Sequence, residues 1–138
     1  MGSKTTVGRR SGVSAMDKVT FYRGLLFGLR MHRAQFTAEG EAFHRAFIST
    51  VELAKRTAPK RDLLRGLTLR VDPIFGVCPQ ASEMLLEGEQ DRVLSLMNPD
   101  LEKARFKIAS TDAKVQLRRL PESKWFEKLG KHFAQELE

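Results

Sequence analysis

The sequence predicts a mostly α fold: a three-helix bundle followed by a partly extended C-terminal tail that ends in an amphipathic helix. Three observations predict it. Apolar residues repeat at helical spacing in four segments, prolines follow the second and the third of them, and strand-like alternation is confined to short stretches. The 138 residues are 41% hydrophobic and 30% charged, which is typical of a globular domain. A chain of this length can bury a core without disulfides or a structural metal.

The N-terminal residues 1–15 contain three glycines, three serines and few large apolar side chains. They therefore predict a flexible basic arm. Asp17 is the only acidic residue among the first 33, and this bias is also typical of a mitochondrial import signal. The start additionally fits the N-myristoylation pattern through Gly2 and Thr6. The sequence leaves open whether the arm is cleaved, acylated or neither.

The first helix is predicted over residues 17–36, where apolar side chains recur every three or four positions. Gly24 and Gly28 lie inside this helix, and each costs about 1 kcal/mol relative to alanine. Their presence indicates that something approaches this face closely. That neighbour could be a second helix or a threaded ligand.

The second helix is predicted from Glu39 or Glu41 to Lys55, with Pro59 marking its end. Residues 60–80 predict an irregular connection with one brief extended piece. A third helix is predicted from Gln80 or Ser82 to the stop signal Asn98-Pro99, and acidic residues in its first half complement the helix dipole.

The last third of the chain has a mixed pattern. Apolar and polar residues alternate through residues 104–119, which predicts a short hairpin, although a helix over 101–108 is an alternative. Residues 121–137 then predict a C-terminal amphipathic helix. Its apolar stripe consists of Trp125, Phe126, Leu129 and Phe133. We therefore divide the chain into an arm (1–15), a helical domain (16–100) and a C-terminal extension (101–138).

The net charge of +7 is unevenly distributed along the chain. Residues 19–65 contain nine basic and four acidic side chains, whereas residues 66–100 contain two basic and six acidic ones. This basic region predicts an acidic partner: nucleic acid, anionic lipid or an acidic protein. No apolar run approaches the roughly 20 residues that a transmembrane helix needs, so we expect at most peripheral membrane association.

The sequence offers little for catalysis or metal binding. The three histidines, His32, His44 and His132, lie on different predicted segments, and Cys78 is the only cysteine. No glycine-rich phosphate-binding motif is present. We therefore expect a protein that is not an enzyme. An enzyme that uses Cys78 with a histidine is one rival hypothesis, and a basic nucleic-acid-binding or ribosome-associated module is the other.

The tripeptide Phe21-Tyr22-Arg23 opens an amphipathic helix rich in arginine, and this arrangement resembles the signature of the LYR-motif family of small basic mitochondrial proteins. The segment His44-Arg45-Ala46-Phe47 on the second helix and the third predicted helix extend the resemblance over residues 18–98. Phe21 replaces the leading leucine of that signature, and Phe27 stands where an arginine is often found. The resemblance is therefore to a divergent member.

The resemblance implies a three-helix fold and a role as an accessory subunit or assembly factor of a mitochondrial complex, with respiratory complex I as the best guess. It places the protein on the matrix side of the inner membrane, bound to mitochondrial acyl carrier protein. It implies no cofactor of the chain's own, only the acyl-phosphopantetheine of the bound carrier. The partner-binding residues carried over are Tyr22, Arg23, Arg30, Arg33, Phe36, Arg45 and Phe47, and those of an acyl-chain pocket are Gly24, Leu25 and Gly28.

Overall fold

A computed structural model describes residues 15–38, 40–60, 62–74, 76–96 and 103–137. This part of the chain forms five helices and one three-stranded antiparallel sheet, so the mostly α prediction is confirmed. The arm, with Gly2 and Thr6, and the Asn98-Pro99 stop signal lie outside the described residues. The elements are α1 (Lys18–Arg30), β1 (Gln35–Thr37), α2 (Glu41–Thr57), α3 (Pro79–Gln90), β2 (Leu94–Leu96), β3 (Lys103–Phe106), α4 (Ser110–Arg118) and α5 (Ser123–Glu136).

Helix α1 begins at a side-chain cap and ends earlier than predicted. The Asp17 carboxylate accepts a hydrogen bond from the Thr20 backbone N–H at 2.8 Å, which satisfies a donor that the first turn leaves unpaired. The prediction that this helix reaches residue 36 was wrong, because Phe36 belongs to β1. Its buried ring stacks on Phe43 at 5.8 Å and packs against Phe106 at 5.7 Å, and these contacts need an extended backbone.

The sheet has the strand order β1-β3-β2. Phe36 pairs with Ala104 on one side of β3, and Leu94 pairs with Phe106 on the other. These four side chains are buried and form the inner face of the sheet. Because side chains alternate along a strand, the outer face carries the intervening polar residues. They are Gln35, Thr37, Ser95, Lys103 and Arg105.

Helix α2 agrees with its predicted bounds to within two residues. The connection that follows is irregular, as predicted, and it contains a turn at residues 62–66. The Leu63 carbonyl in this turn accepts a hydrogen bond from the Met16 N–H at 2.8 Å, which ties the start of α1 to the connection. No paired strand occurs in the described part of residues 60–80, where the sequence predicts a brief extended piece.

Helix α3 ends at Gln90, well before the predicted stop at Asn98-Pro99. Val93 and Leu94 are buried, as the sequence predicts for core residues, but neither is helical. The chain turns at Arg92, whose φ of +62° lies in the left-handed region. This turn releases Leu94 from the helix and allows it to pair with Phe106.

The hairpin predicted for residues 104–119 was wrong. Its first half is the central strand β3, but its second half is α4. Ala113 and Leu117 are buried, while Val115 between them is 47% exposed. The alternating pattern is compatible with both structures because positions i and i+4 share one face of a helix and also one face of a strand.

The C-terminal helix α5 is confirmed, and its aromatic stripe is buried. It packs against α1 and α2, and it lies at the centre of the fold. Phe126 and Phe133 belong to the same hydrophobic core as Phe21 and Phe47, so the boundary at residue 100 does not separate two cores. The structure is therefore a five-helix arrangement with a small sheet, and a three-helix bundle is not confirmed.

Candidate functional site

The aromatic residues predicted to bind a partner lie in the core. Tyr22 is 3% exposed, Phe36 is 2% exposed and Phe47 is fully buried. The Tyr22 hydroxyl donates a hydrogen bond to Glu83 Oε1 at 2.9 Å. Burial raises the pKa of the Tyr22 phenol above its usual value, and the neighbouring Glu83 carboxylate raises it further. The hydrogen bond from Tyr22 in turn lowers the pKa of Glu83.

The space beside the two predicted pocket glycines is occupied by α5. An alanine Cβ at Gly24 would fall on the Phe126 ring, and one at Gly28 would lie 2.8 Å from the Phe126 carbonyl oxygen. Leu25 between them is fully buried. Of the two explanations for these glycines, close approach of a helix is the one that the structure contains. An acyl chain could enter here only if α5 moved away.

Arg23 is exposed and forms an ion pair with Asp91, with Nε 2.8 Å from Oδ2. This hydrogen bond raises the pKa of the Arg23 guanidinium. The pair joins α1 to the turn after α3. Arg45 lies on α2, where it pairs with Glu41 on the same helix. Arg23 and Arg45 therefore have different ion-pair partners, on different elements.

Arg30 and Arg33 lie at the end of α1, next to the basic strand β3. The Arg30 Nε donates to the Ile108 carbonyl at 2.8 Å, and the Arg33 Nε donates to the Gln35 carbonyl at 3.3 Å. Gln35 is the register partner of Arg105, whose side chain points outward from the sheet. We name the cations gathered here the basic surface: Arg30, Arg33, Lys103, Arg105 and Lys107.

The basic surface joins two stretches that are far apart in the sequence. Residues 18–37 contain four basic and no acidic side chains, and residues 103–119 contain six basic side chains and one acidic one. Helix α1 packs against α4, and β1 pairs with β3. Helix α3, which has three glutamates and no basic residue, contacts α1 and β2. The fold thus concentrates positive charge that the sequence distributes over two segments.

A groove of about 480 Å³ lies between α1 and α4, and we name it the α1–α4 groove. Its apolar lining comes from four elements, and charged side chains from α1, α4 and the α3–β2 turn surround that lining. Ile108, whose carbonyl binds Arg30, lies at the boundary between the groove and the basic surface. The lining residues are Arg23, Phe27, Asp91, Arg92, Val93, Ile108, Asp112, Gln116, Arg119 and Leu120.

Two arginines of the groove, Arg92 and Arg119, were not identified from the sequence. Within the described part of the chain, neither guanidinium makes an ion pair or a hydrogen bond. Their positions depend on how α3 and α4 end. For Arg92 no local signal reveals this, since a left-handed helix end is normally marked by glycine or asparagine rather than arginine.

Cys78 lies next to His44, but the geometry does not favour an activated nucleophile. The Cys78 residue is fully buried, and its thiol donates to Gln80 Oε1 at 3.3 Å. His44 Nδ1 accepts a hydrogen bond from the Cys78 backbone N–H at 3.0 Å, so it faces the main chain. A reactive cysteine needs access to substrate and a partner that stabilises its thiolate. This pair therefore serves to hold the start of α3 against α2.

A second histidine, His132, forms a hydrogen bond between α2 and α5, where its Nε2 lies 2.9 Å from Ser49 Oγ. Among the residues that the structure describes, no carboxylate is hydrogen-bonded to His132. A serine nucleophile requires a histidine that is oriented by a third group, together with donors for an oxyanion. We interpret Ser49 and His132 as an interhelical contact.

The described residues include no group of three or more His, Cys, Asp or Glu side chains that could hold a metal ion. None of the five helices combines the length and the apolar character that crossing a bilayer requires. Comparison with known proteins adds no relative: no family model, no curated protein and no solved structure matches this chain.

Proposed function

We propose that this protein is a non-enzymatic docking subunit that binds an acidic partner protein at its basic surface. The observation that carries the proposal is the convergence of two basic segments, residues 18–37 and 103–119, on one part of the fold. Exposed arginines and lysines pair with carboxylates and steer acidic partners into contact. Because Arg30 and Arg33 are held by backbone carbonyls, part of the side-chain ordering needed for binding has already occurred.

A protein partner explains the surface better than nucleic acid does. The outer face of the sheet presents Lys103 and Arg105 and would suit phosphate contacts. However, none of the described residues on that face is aromatic, whereas sheets that bind single strands stack bases on aromatic rings. The neighbouring groove has an apolar floor, which is suited to apolar side chains of a protein.

The resemblance to the LYR-motif family supports an acyl carrier protein as the partner, because carrier proteins are acidic. It also supports a place in a mitochondrial complex, which we propose to be respiratory complex I, on the matrix side of the inner membrane. This part of the proposal rests on Phe21-Tyr22-Arg23 and on the basic helix that contains it. The carrier would bring its own acyl-phosphopantetheine, and the chain itself would need no cofactor.

The direct test is binding of a purified, acylated acyl carrier protein, measured by titration calorimetry at two salt concentrations. Reversing two surface charges, with Lys103→Glu and Arg105→Glu, should weaken binding by about tenfold or more, because each rim charge contributes to steering and attraction. Raising the salt concentration should weaken wild-type binding by screening the same charges.

The matched control is Arg56→Glu, which reverses an exposed charge near the end of α2, away from β3. It should leave the affinity within about twofold of wild type, as expected for a charge outside the interface. Unchanged binding in the Lys103/Arg105 variant would contradict the proposal. So would tighter binding of single-stranded RNA than of the carrier protein under the same salt.

A second measurement tests the proposed setting. Mild purification of the protein from its native source, followed by intact mass spectrometry, should find a stoichiometric carrier protein whose mass includes an acyl-phosphopantetheine group. Recovery of the protein bound to nucleic acid in place of a carrier would contradict the mitochondrial docking role.

A further inference from the structure

The α1–α4 groove combines an apolar floor with two cations that have no partner among the described residues. Phe27, Val93 and Leu120 belong to that floor, and Arg92 and Arg119 line the same groove. A volume of about 480 Å³ is within the range of roughly 300–1,000 Å³ that is typical of ligand-binding sites. An occupant that matched both features would carry a negative charge beside an apolar group.

The two acidic residues of the groove limit how much negative charge it accepts. Asp91 is already neutralised by Arg23 in the 2.8 Å ion pair. Asp112 lies in the first turn of α4, where the helix dipole stabilises its carboxylate. The remaining positive charge is that of Arg92 and Arg119, which suits one carboxylate better than a cluster of them.

The backbone of Arg92 indicates that this side chain is retained at a cost to stability. The Arg92 N–H donates to the Glu89 carbonyl at 3.1 Å, and the Val93 N–H donates to the Gly88 carbonyl at 2.9 Å. These two bonds form a Schellman motif, in which the left-handed position is usually glycine. Arginine occupies that position here with a φ of +62°, a conformation that L-residues with a Cβ disfavour.

Glu122, which is the other left-handed non-glycine residue in the described part of the chain, supports by comparison a role of Arg92 in binding. Glu122 has a φ of +58°, and its carboxylate lies 3.7 Å from Lys60 Nζ. The left-handed backbone at Glu122 thus positions a side chain that has a partner within the protein, Lys60. The Arg92 guanidinium has no partner among the described residues, so its conformation points a free cation at the groove. Backbone strain that is not accompanied by a side-chain contact within the protein is typical of binding sites.

We propose that the α1–α4 groove binds a short segment of the partner protein in which an acidic side chain lies beside an apolar one. Arg92 and Arg119 bind the carboxylate, and the apolar side chain packs on Phe27, Val93 and Leu120. This inference rests on the proposed docking function and adds to it the chemistry of the segment that is recognised. A purely acidic surface would satisfy the arginines but leave the apolar floor exposed to water.

The test uses three fluorescein-labelled octapeptides and the full chain. The first peptide has one glutamate beside a Leu-Phe pair, the second has glutamine in place of the glutamate, and the third has Ser-Ser in place of Leu-Phe. Fluorescence anisotropy should show binding of the first peptide. Each of the other two peptides should bind with an affinity at least about tenfold lower.

Variants of the protein separate binding from stability. Arg92→Gly should weaken binding of the first peptide about tenfold or more and at the same time raise the Tm by about 2–4 °C, because glycine relieves the left-handed strain. Arg92→Lys keeps the charge and should bind within a few-fold of wild type. Arg119→Gln should also lose binding, while its neighbour Arg118, which does not line the groove, should tolerate Arg118→Gln unchanged.

Three results would overturn the inference: wild-type peptide affinity in Arg92→Gly, equal affinity for the Leu-Phe and Ser-Ser peptides, or no peptide binding at millimolar concentration. Each leaves the carrier-protein titration as a separate result. If the carrier protein still binds and depends on Lys103 and Arg105, the docking function stands and only the groove assignment fails. If the peptide binds and the carrier protein does not, the proposed function fails.

Discussion

The two faces of α1 are packed in opposite ways. On one face, Gly24 and Gly28 allow α5 to approach so closely that no side chain fits between the helices at Gly28 and Gly130. On the other face, Arg23 and Phe27 border the α1–α4 groove. One helix therefore contributes both to a contact with no room for a side chain and to the lining of a groove.

This contrast separates residues that the fold requires from residues that are available for binding. The close face contains small and aromatic residues whose replacement creates clashes or cavities. The open face contains Arg23, whose ion pair with Asp91 is exposed to solvent and contributes little to stability. Changes on the first face should affect folding, and changes on the second should affect binding with little effect on folding.

Removal of α5 should have the largest effect. A chain that ends at Leu120 lacks Phe126 and Phe133, and it exposes the faces of α1 and α2 that pack against them. We expect loss of cooperative thermal unfolding, measured by far-UV circular dichroism, because this core cannot be replaced from within residues 16–100. A cooperative transition near the Tm of the full-length protein would instead show that the N-terminal helices fold alone. The close face of α1 would then not be required for folding.

Adding one methyl group at the helix contact should have the next largest effect. In Gly130→Ala the new Cβ would fall on backbone atoms of Gly28, which cannot rotate away as a side chain can. We expect a loss of about 3 kcal/mol in the free energy of unfolding, measured by urea denaturation with Trp125 fluorescence. The matched control is Gly66→Ala, since nothing lies within 4 Å of that Cβ position. Equal stability of the two variants would show that α1 and α5 are less closely packed.

Tyr22 should make stability sensitive to alkaline pH. Its pKa is raised in the folded protein by burial and by Glu83, so the folded state favours the neutral phenol. The corresponding stability is complete below the ordinary tyrosine pKa of about 10 and is lost as the pH rises above it.

Tyr22 is the only tyrosine, so tyrosinate absorbance reports this group alone. The absorbance should rise together with unfolding, and Tyr22→Phe should weaken this pH dependence. Tyrosinate formation near pH 10 in a chain that stays folded would contradict the burial of the hydroxyl.

The smallest effect is expected on the open face. Arg23→Gln removes an ion pair in which the side chains are 45% and 27% exposed. Solvent screens such a pair, so we expect the free energy of unfolding to fall by less than about 1 kcal/mol in the same urea assay. A loss as large as that of Gly130→Ala would show that the Arg23–Asp91 pair holds the fold together, and the two faces would then not differ in kind.

The correct and incorrect predictions from the sequence have a common cause. Helix α2 and the aromatic stripe of α5 were identified because their periodicity involves neighbours three or four positions away. The ends of α1 and α3 were missed because Phe36 and Leu94 leave the helical pattern to pair with β3. The same residues satisfy a helical pattern and a strand pattern, and only a distant partner decides between them.

The candidate site shows the same division. Arg23, Arg30 and Arg33 were identified from the sequence because they cluster on one helix. Arg92 and Arg119 were missed because the two are 27 positions apart and meet only through the turn after α3 and the end of α4. Gly24 and Gly28 were correctly expected to face a close neighbour, but the identity of that neighbour was not predictable.

The sequence alone determines α2, the aromatic stripe of α5 and the regional charge, because each depends on residues close together in the chain. The tertiary structure decides where α1 and α3 stop, which strands pair, and which arginines share a groove. Gln35 pairs with Arg105, although the two residues are far apart in the sequence. Phe126 of α5 fills the space beside Gly24. The physical reason is that burial and strand pairing are chosen by the whole core, whereas periodicity and capping are local.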